Sequence, residues 1–209
     1  LKVFIQWGIS KLDKVILADV DGVLLNWAFA FNMWMKKQGH EPVEENKIGA
    51  AYCASEVYNI TKENKKRLIK QFNESAAIGF LPPLRDAVYH VKRLHEKHGF
   101  KFHVITSLSL DESAQELRIL NLHKLFGEDC FEKIDILDTG ADKDEALLPF
   151  KDSGLFWVED KWENAVTGAE LGLRSLVMEH GHNMTESHPN IFHVKNWQEI
   201  EEHITSSSY

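Results

Sequence analysis

Val15-Ile16-Leu17-Ala18-Asp19-Val20-Asp21-Gly22 is a short apolar run that ends in two aspartates, one residue apart, and a glycine. An apolar run of this length closed by a glycine reads as a buried strand. Asp19 and Asp21 then emerge together at its carboxyl end. In open parallel α/β sheets that edge is where ligands bind. Two carboxylates there can hold a divalent cation and leave one oxygen free as a nucleophile. Gly22 permits a sharp turn directly after the strand. The competing reading is a pair of solvated loop aspartates, and the rest of the chain has to decide between the two.

From Phe100 onward strands and helices alternate. Strands are expected over residues 102–105, 134–137, 155–158, 175–178 and 191–194. Helices are expected over 111–126, with Ser109 and Glu112 as a capping box, and over 144–152, 161–171 and 197–204. Before Phe100, helical spacing covers 27–38, with Gly39 as a stop, and 61–73, with Thr61 as a cap. Pro82 and Pro83 punctuate the chain ahead of an amphipathic helix that carries Leu84, Ala87, Val88, Val91 and Leu94. The fold class is therefore α/β, a parallel sheet with helices on both faces. A small helical cap is inserted after the first strand. The core comprises residues 14–26 and 81–205, the cap 27–80, and residues 1–13 have no clear place.

The 209 residues are 44% hydrophobic, enough for one ordinary domain with a real core. With 24 basic against 32 acidic residues the net charge is −8, which argues against a nucleic acid partner. Lys62, Lys65, Lys66, Arg67 and Lys70 form the densest basic cluster and read as a solvated helix face. The two cysteines, Cys53 and Cys130, lie outside any metal-like spacing and read as buried or idle thiols of a reducing compartment. No apolar stretch is long enough for a bilayer and no signal-peptide pattern opens the chain, so the expectation is a soluble cytoplasmic protein without a membrane partner. The sequence leaves a homodimer open.

The residues at the carboxyl end of each later strand decide the chemistry. After the second strand comes Thr106-Ser107, after the third a polar loop with Lys143, and after the fourth Glu159-Asp160. Singly, each has an ordinary explanation as a helix cap or a surface charge. In this order, a carboxylate nucleophile, a hydroxyl with exposed N–H groups, a lysine and a metal-binding acid together neutralise a transferring phosphoryl group.

These four motifs, Asp19-Val20-Asp21-Gly22-Val23, Val104-Ile105-Thr106-Ser107, Lys143 and Trp157-Val158-Glu159-Asp160, resemble those of the haloacid dehalogenase superfamily of phosphotransferases. The resemblance covers residues 15–178 and implies a Rossmann-like core. It implies that Asp19 attacks phosphorus to form an aspartyl-phosphate, and that Asp21 protonates the departing alkoxide and later activates water. It also implies Mg²⁺ held by Asp19, the Asp21 carbonyl and Asp160, with Glu159 ligating or orienting a water. Thr106, Ser107 and Lys143 would hold the phosphate. An aspartate at position 21 favours phosphatases over dehalogenases and transport ATPases.

Within the superfamily the run from Asp19 to Trp27, followed by Phe31, is most similar to the 5′(3′)-deoxyribonucleotidases. Gly79-Phe80-Leu81-Pro82-Pro83-Leu84 falls where that family returns from cap to core. The implied substrate is a nucleoside monophosphate, with Trp27 and Phe31 as base-contacting aromatics. Packing inside the cap is an equal alternative for Trp27 and the favoured reading for Phe31. Asn26, Leu108 and Glu159 depart from the family pattern of aspartate, proline and aspartate, which weakens the transfer of substrate preference. The segment also resembles phage-encoded hydrolases of the superfamily. A phosphatase of sugar phosphates or another small ester is the main rival. A signalling receiver domain is disfavoured by motif order, and a non-catalytic phosphate-binding module by the complete set of reactive residues. His180, His182, His188 and His193 fit no metal-site spacing and read as exposed loop residues. Asn164 reads as a support for the fourth-motif loop.

Overall fold

Six parallel strands build the sheet at the centre of the computed structural model, which describes residues 14–43, 57–181 and 183–206. The expectations for residues 1–13, Cys53 and His182 lie outside the described residues. In chain order the strands are β1 (Val15–Ala18), β2 (Lys101–Ser107), β3 (Phe131–Leu137), β4 (Phe156–Glu159), β5 (Arg174–Met178) and β6 (Ile191–Val194). The helices are α1 (Trp27–Lys37), α2 (Lys62–Asn73), α3 (Ala87–Glu96), α4 (Glu112–Phe126), α5 (Asp144–Leu147), α6 (Trp162–Glu170) and α7 (Trp197–Ser206). Spatial order is β3-β2-β1-β4-β5-β6, so β1 lies in the middle of the sheet and the strand order reverses there. Such a reversal opens a crevice at the carboxyl ends of the two central strands.

Alternation along β1 divides the core. Ile16 and Ala18 face a large apolar layer containing Val91 and Leu94 of α3, Leu122 and Phe126 of α4, and Trp197 and Ile200 of α7. Leu17 faces the other side, with Ile105, Leu147 and Trp157. Both faces of the sheet are covered, as a purely parallel sheet requires. Gly168 lets α6 approach closely, since a Cβ there would stand 2.4 Å from the Trp157 ring.

Local signals explain the helix ends. Thr61 accepts from the Asn64 N–H and caps α2, and Asn26 accepts from the Phe29 N–H and caps α1. Gly39 follows α1 with φ of +82°, a conformation that stops a helix cheaply only at glycine. The capping box expected for α4 is not formed. Asp111 accepts from the Ala114 N–H instead, while the Ser109 hydroxyl donates to Glu74 across from the end of α2. An aspartate one residue before the helix satisfies the orphan donor directly. The helix expected over 144–152 is shorter, with a 3-10 turn at Leu148–Phe150 where Pro149 interrupts it. Among the described residues no helix is long and apolar enough to cross a membrane.

Between β1 and α3 the chain forms α1, α2 and a 3-10 turn at Ala76–Phe80. Phe31 and Phe72 join the helices in a ring cluster with Trp27 and Trp34. The two connections to the sheet lie side by side, because the Asn26 N–H donates to the Pro82 carbonyl and the Leu84 N–H to the Leu24 carbonyl.

Candidate active site

Register places the reactive residues. Ala18 pairs with Val104 on one side and with Val158 on the other, and the Asp19 N–H donates to the Val158 carbonyl at 2.9 Å. Asp19, Thr106 and Glu159 are thereby brought to one edge of the sheet. Beyond Asp19 the chain turns tightly. The N–H groups of Val23, Leu24 and Leu25 converge on the Val20 carbonyl, and Gly22 adopts φ of +80°. A Cβ at Gly22 would lie 2.2 Å from Asp160 Oδ2, so glycine is needed for space as well as for backbone angle.

Lys143, just ahead of α5, is buried and bridges two strands. Its ammonium is 2.8 Å from Asp19 Oδ1 and 2.7 Å from Glu159 Oε2. Burial alone would push the ammonium down, but the two carboxylates outweigh it and hold it above the ordinary lysine value. Lys143 is therefore a fixed cation.

Asp19, Glu159 and Asp160 each bring a carboxylate oxygen within 4.8 Å of the others. Burial, then the charges of Glu159 and Asp19, raise the Asp160 carboxyl well above its usual range. Burial also raises Asp21, although Arg118 opposes it. Four carboxylates, Asp19, Asp21, Glu159 and Asp160, thus meet two cations, Lys143 and Arg118. The unbalanced negative charge and the oxygen-only donor set fit a hard divalent cation such as Mg²⁺.

Thr106 is fully buried and its hydroxyl has no hydrogen-bond partner among the described residues. A buried hydroxyl without a partner costs about 1–3 kcal/mol and calls for an explanation.

Several of the expected site residues have further partners. Phe31 follows the packing reading. It is 2% exposed, stacked against Trp27 and edge-on to Phe72, because its face of α1 turns inward. Trp27 is partly buried, stacked on Phe31 at 4.7 Å, and its indole N–H donates to Asn73. The Ser107 hydroxyl donates to the Ala141 carbonyl and so ties the Lys143 loop to β2. Glu159 is fully buried. One oxygen accepts from the backbone N–H groups of Asp160 and Lys161, and the other from Lys143 and Asn164. Its place within the carboxylate cluster is thus combined with shaping the loop, and Asn164 supports that loop as expected.

Three contributors carried no usable sequence signal. Arg118 of α4 grips Asp21 from 97 positions away. Asn183 is buried and donates to the carbonyls of Asp160 and Met178. His180 is not a free loop residue, since its Nε2 lies 2.7 Å from the Gly22 carbonyl oxygen.

No family model matches the chain. An uncharacterized 32.4 kDa protein from the Gp30-rIII intergenic region of Enterobacteria phage T4 is 25% identical over 147 residues, covering 68% of this chain and 51% of its own length. The chain thus spans about half the length of that curated relative. Among solved structures, a haloacid dehalogenase-like family hydrolase from Streptococcus pneumoniae superposes with a TM-score of 0.62 at 15% identity, covering 92% of this chain and 99% of that one. CbbY from Rhodobacter sphaeroides in complex with phosphate gives 0.57 at 17% identity, covering 90% and 96%. A variant of CbbY has also been solved with xylulose-(1,5)-bisphosphate. The chain has the α/β, Rossmann-like fold of haloacid dehalogenase-like hydrolases.

Proposed function

We propose that this chain is a Mg²⁺-dependent phosphomonoesterase that acts through an aspartyl-phosphate on Asp19, with nucleoside monophosphates as substrates. The observation that carries the reading is the buried Lys143 bridge between Asp19 and Glu159, with Asp160 in the same cluster. A lysine fixed beside a carboxylate nucleophile lowers the repulsion that a phosphate dianion would otherwise meet. The fold shared with phosphate-bound CbbY supports the same class of chemistry.

In the first step an Asp19 oxygen forms a bond to phosphorus in line with the ester oxygen. The bond to the leaving oxygen breaks, and Asp21 gives that oxygen a proton. In the second step Asp21 takes a proton from water as the water attacks phosphorus and frees Asp19. The Thr106 hydroxyl and neighbouring N–H groups hold the non-bridging oxygens, and Lys143 offsets their charge. Asp19, Asp160 and the Asp21 carbonyl would hold Mg²⁺, with Glu159 beside them. The cation supplies Lewis-acid stabilisation of charge on the transferring group.

Residues 27–80 serve as a cap over a core of 14–26 and 81–205. Trp27 opens α1, just beyond the Asp19 loop, and is half-buried with its ring stacked on Phe31, a setting that leaves room for the reading in which it stacks on a base. Similarity to an uncharacterized T4 protein supports the phage part of the likeness to phage-encoded hydrolases. A sugar-phosphate phosphatase is the second reading, favoured by the likeness to CbbY, whose variant was solved with a phosphorylated sugar. The test is a panel of nucleotides, sugar phosphates and p-nitrophenyl phosphate with and without Mg²⁺. Metal-dependent phosphate release with nucleotides as the best substrates is expected. Preference for sugar phosphates would select the second reading, and no release would overturn both.

A further inference from the structure

The site holds a second buried cation whose connection is unusual. Arg118 is fully buried on α4, and its fork meets Asp21 with Nη1 2.7 Å from Oδ1 and Nη2 3.2 Å from Oδ2. Its Nε, also buried, has no acceptor among the described residues. Burying a guanidinium is costly, and leaving one of its donors unsatisfied adds to the cost, so stability alone is a poor reason to keep this pair. The Asp21 side chain remains 22% exposed, so the fork fixes the carboxylate without sealing it.

The base of the fork is itself anchored. Three residues along α4, Asn121 exchanges hydrogen bonds with both the N–H and the carbonyl of Leu81, and Leu117 packs against Gly79 of the 3-10 turn. The helix that carries Arg118 is therefore pinned to the segment leading back into the sheet.

We infer that Arg118 is a positioning residue that fixes the Asp21 carboxyl group toward the leaving oxygen of the bound ester. This rests on the reading of Asp21 as the acid in the first step. As the phosphorus–oxygen bond breaks, its electron pair stays on the ester oxygen and the proton passes to that oxygen from Asp21. Arg118 neither gives nor takes a proton and acts on the ester only through Asp21. A fork with two parallel donors sets the plane of a carboxylate, which a lysine cannot do.

Leaving-group dependence tests the role. p-Nitrophenyl phosphate releases a stable phenolate that needs little protonation, whereas thymidine 5′-monophosphate releases an alkoxide that needs a proton. Arg118→Lys keeps the charge without the fork, and Arg118→Met removes both. For each variant the single-turnover release of nucleoside, which reads the first step alone, should slow about 10²-fold, the range of a lost general acid. Single-turnover release of p-nitrophenolate should change little, whereas steady-state turnover of either ester falls wherever the second step, which also uses Asp21, limits it. Asp21→Asn should show the same single-turnover contrast, and adding Arg118→Met to it should slow nucleoside release no further. If Arg118→Met does not fold, Arg118→Lys with a wild-type melting curve carries the comparison. Equal losses of single-turnover release from both esters, or a change in KM alone, would overturn the role of Arg118 and leave the phosphatase reading standing. Absence of Mg²⁺-dependent release from either ester by the wild-type protein would overturn that reading and the role of Arg118 with it.

Discussion

At Thr106 a hydroxyl sits in the interior with no partner among the described residues, so the proposed hold on phosphate and stability pull in opposite directions there. Thr106→Val removes the unpaired group at nearly constant volume. It should leave the melting temperature unchanged or raise it, while kcat falls about 10²–10³-fold, as when an oxyanion donor is lost. Calorimetry beside a phosphate-release assay checks both signs. Gly22→Ala tests the opposite case. A methyl group would strike the Asp160 carboxylate, and φ of +80° penalises any side chain by about 1–3 kcal/mol. Denaturant melts should show that loss together with loss of metal-dependent activity. Single residues were legible in the sequence when their partners were close in the chain. Asp19 and Asp21 are two apart, and Glu159 and Asp160 are adjacent. Arg118 was invisible because the distance between it and Asp21 is set by the fold, not by spacing. Whether Phe31 packs or faces a ligand was not legible, because aromatic residues at helical spacing look the same whichever side of α1 faces inward.

Among the elements, the junction of the helical insertion with the sheet depends on side-chain amides. Asn121 satisfies both backbone groups of Leu81, and Asn73 links the Trp27 indole to the Leu108 carbonyl, which also accepts from Thr139. Asn121→Ala leaves buried backbone groups unpaired and should cost about 1–3 kcal/mol, read from equilibrium unfolding. Helices and strands were recognisable from periodicity and caps, and most ends shifted by only one or two residues. The exceptions have local causes. β3 begins at Phe131, three residues earlier than expected, because its charged positions Glu132 and Lys133 interrupt the apolar pattern while its backbone still pairs with β2. The capping role passed from Ser109 to Asp111 because Ser109 is engaged by Glu74.

Taken as a whole, the molecule joins its first and last parts through a charged cluster between α3 and α7. Glu201 accepts from Arg93 at 2.6 Å, pairs with His90 at 2.7 Å and lies 3.2 Å from His98. Burial would raise its carboxyl, but the hydrogen bonds from His90 and Arg93 prevail and hold it below the ordinary range. A carboxyl lowered in the folded state contributes stability above its unfolded value that is lost as pH falls through the folded one. The melting temperature should therefore drop as pH goes below about 4.3, the ordinary glutamate value, and the drop should be shallower in Glu201→Gln. The buried Cys130 thiol is pushed up to about 12 by burial and adds no titration at neutral pH. At the sheet edge, Mg²⁺ binding to the folded state alone should raise the melting temperature with metal concentration. Chelation should abolish activity and leave the far-ultraviolet circular dichroism unchanged.

The central claim is that Asp19 becomes phosphorylated, and trapping tests it most directly. A turnover mixture quenched in acid and reduced with borohydride converts an aspartyl-phosphate to homoserine, which mass spectrometry of the tryptic peptides can locate. Homoserine at position 19, in the wild-type protein and only with substrate and Mg²⁺ present, is the expected result. Full-rate phosphate release with Asp19 unmodified, or with the phosphate carried by another residue, would contradict it.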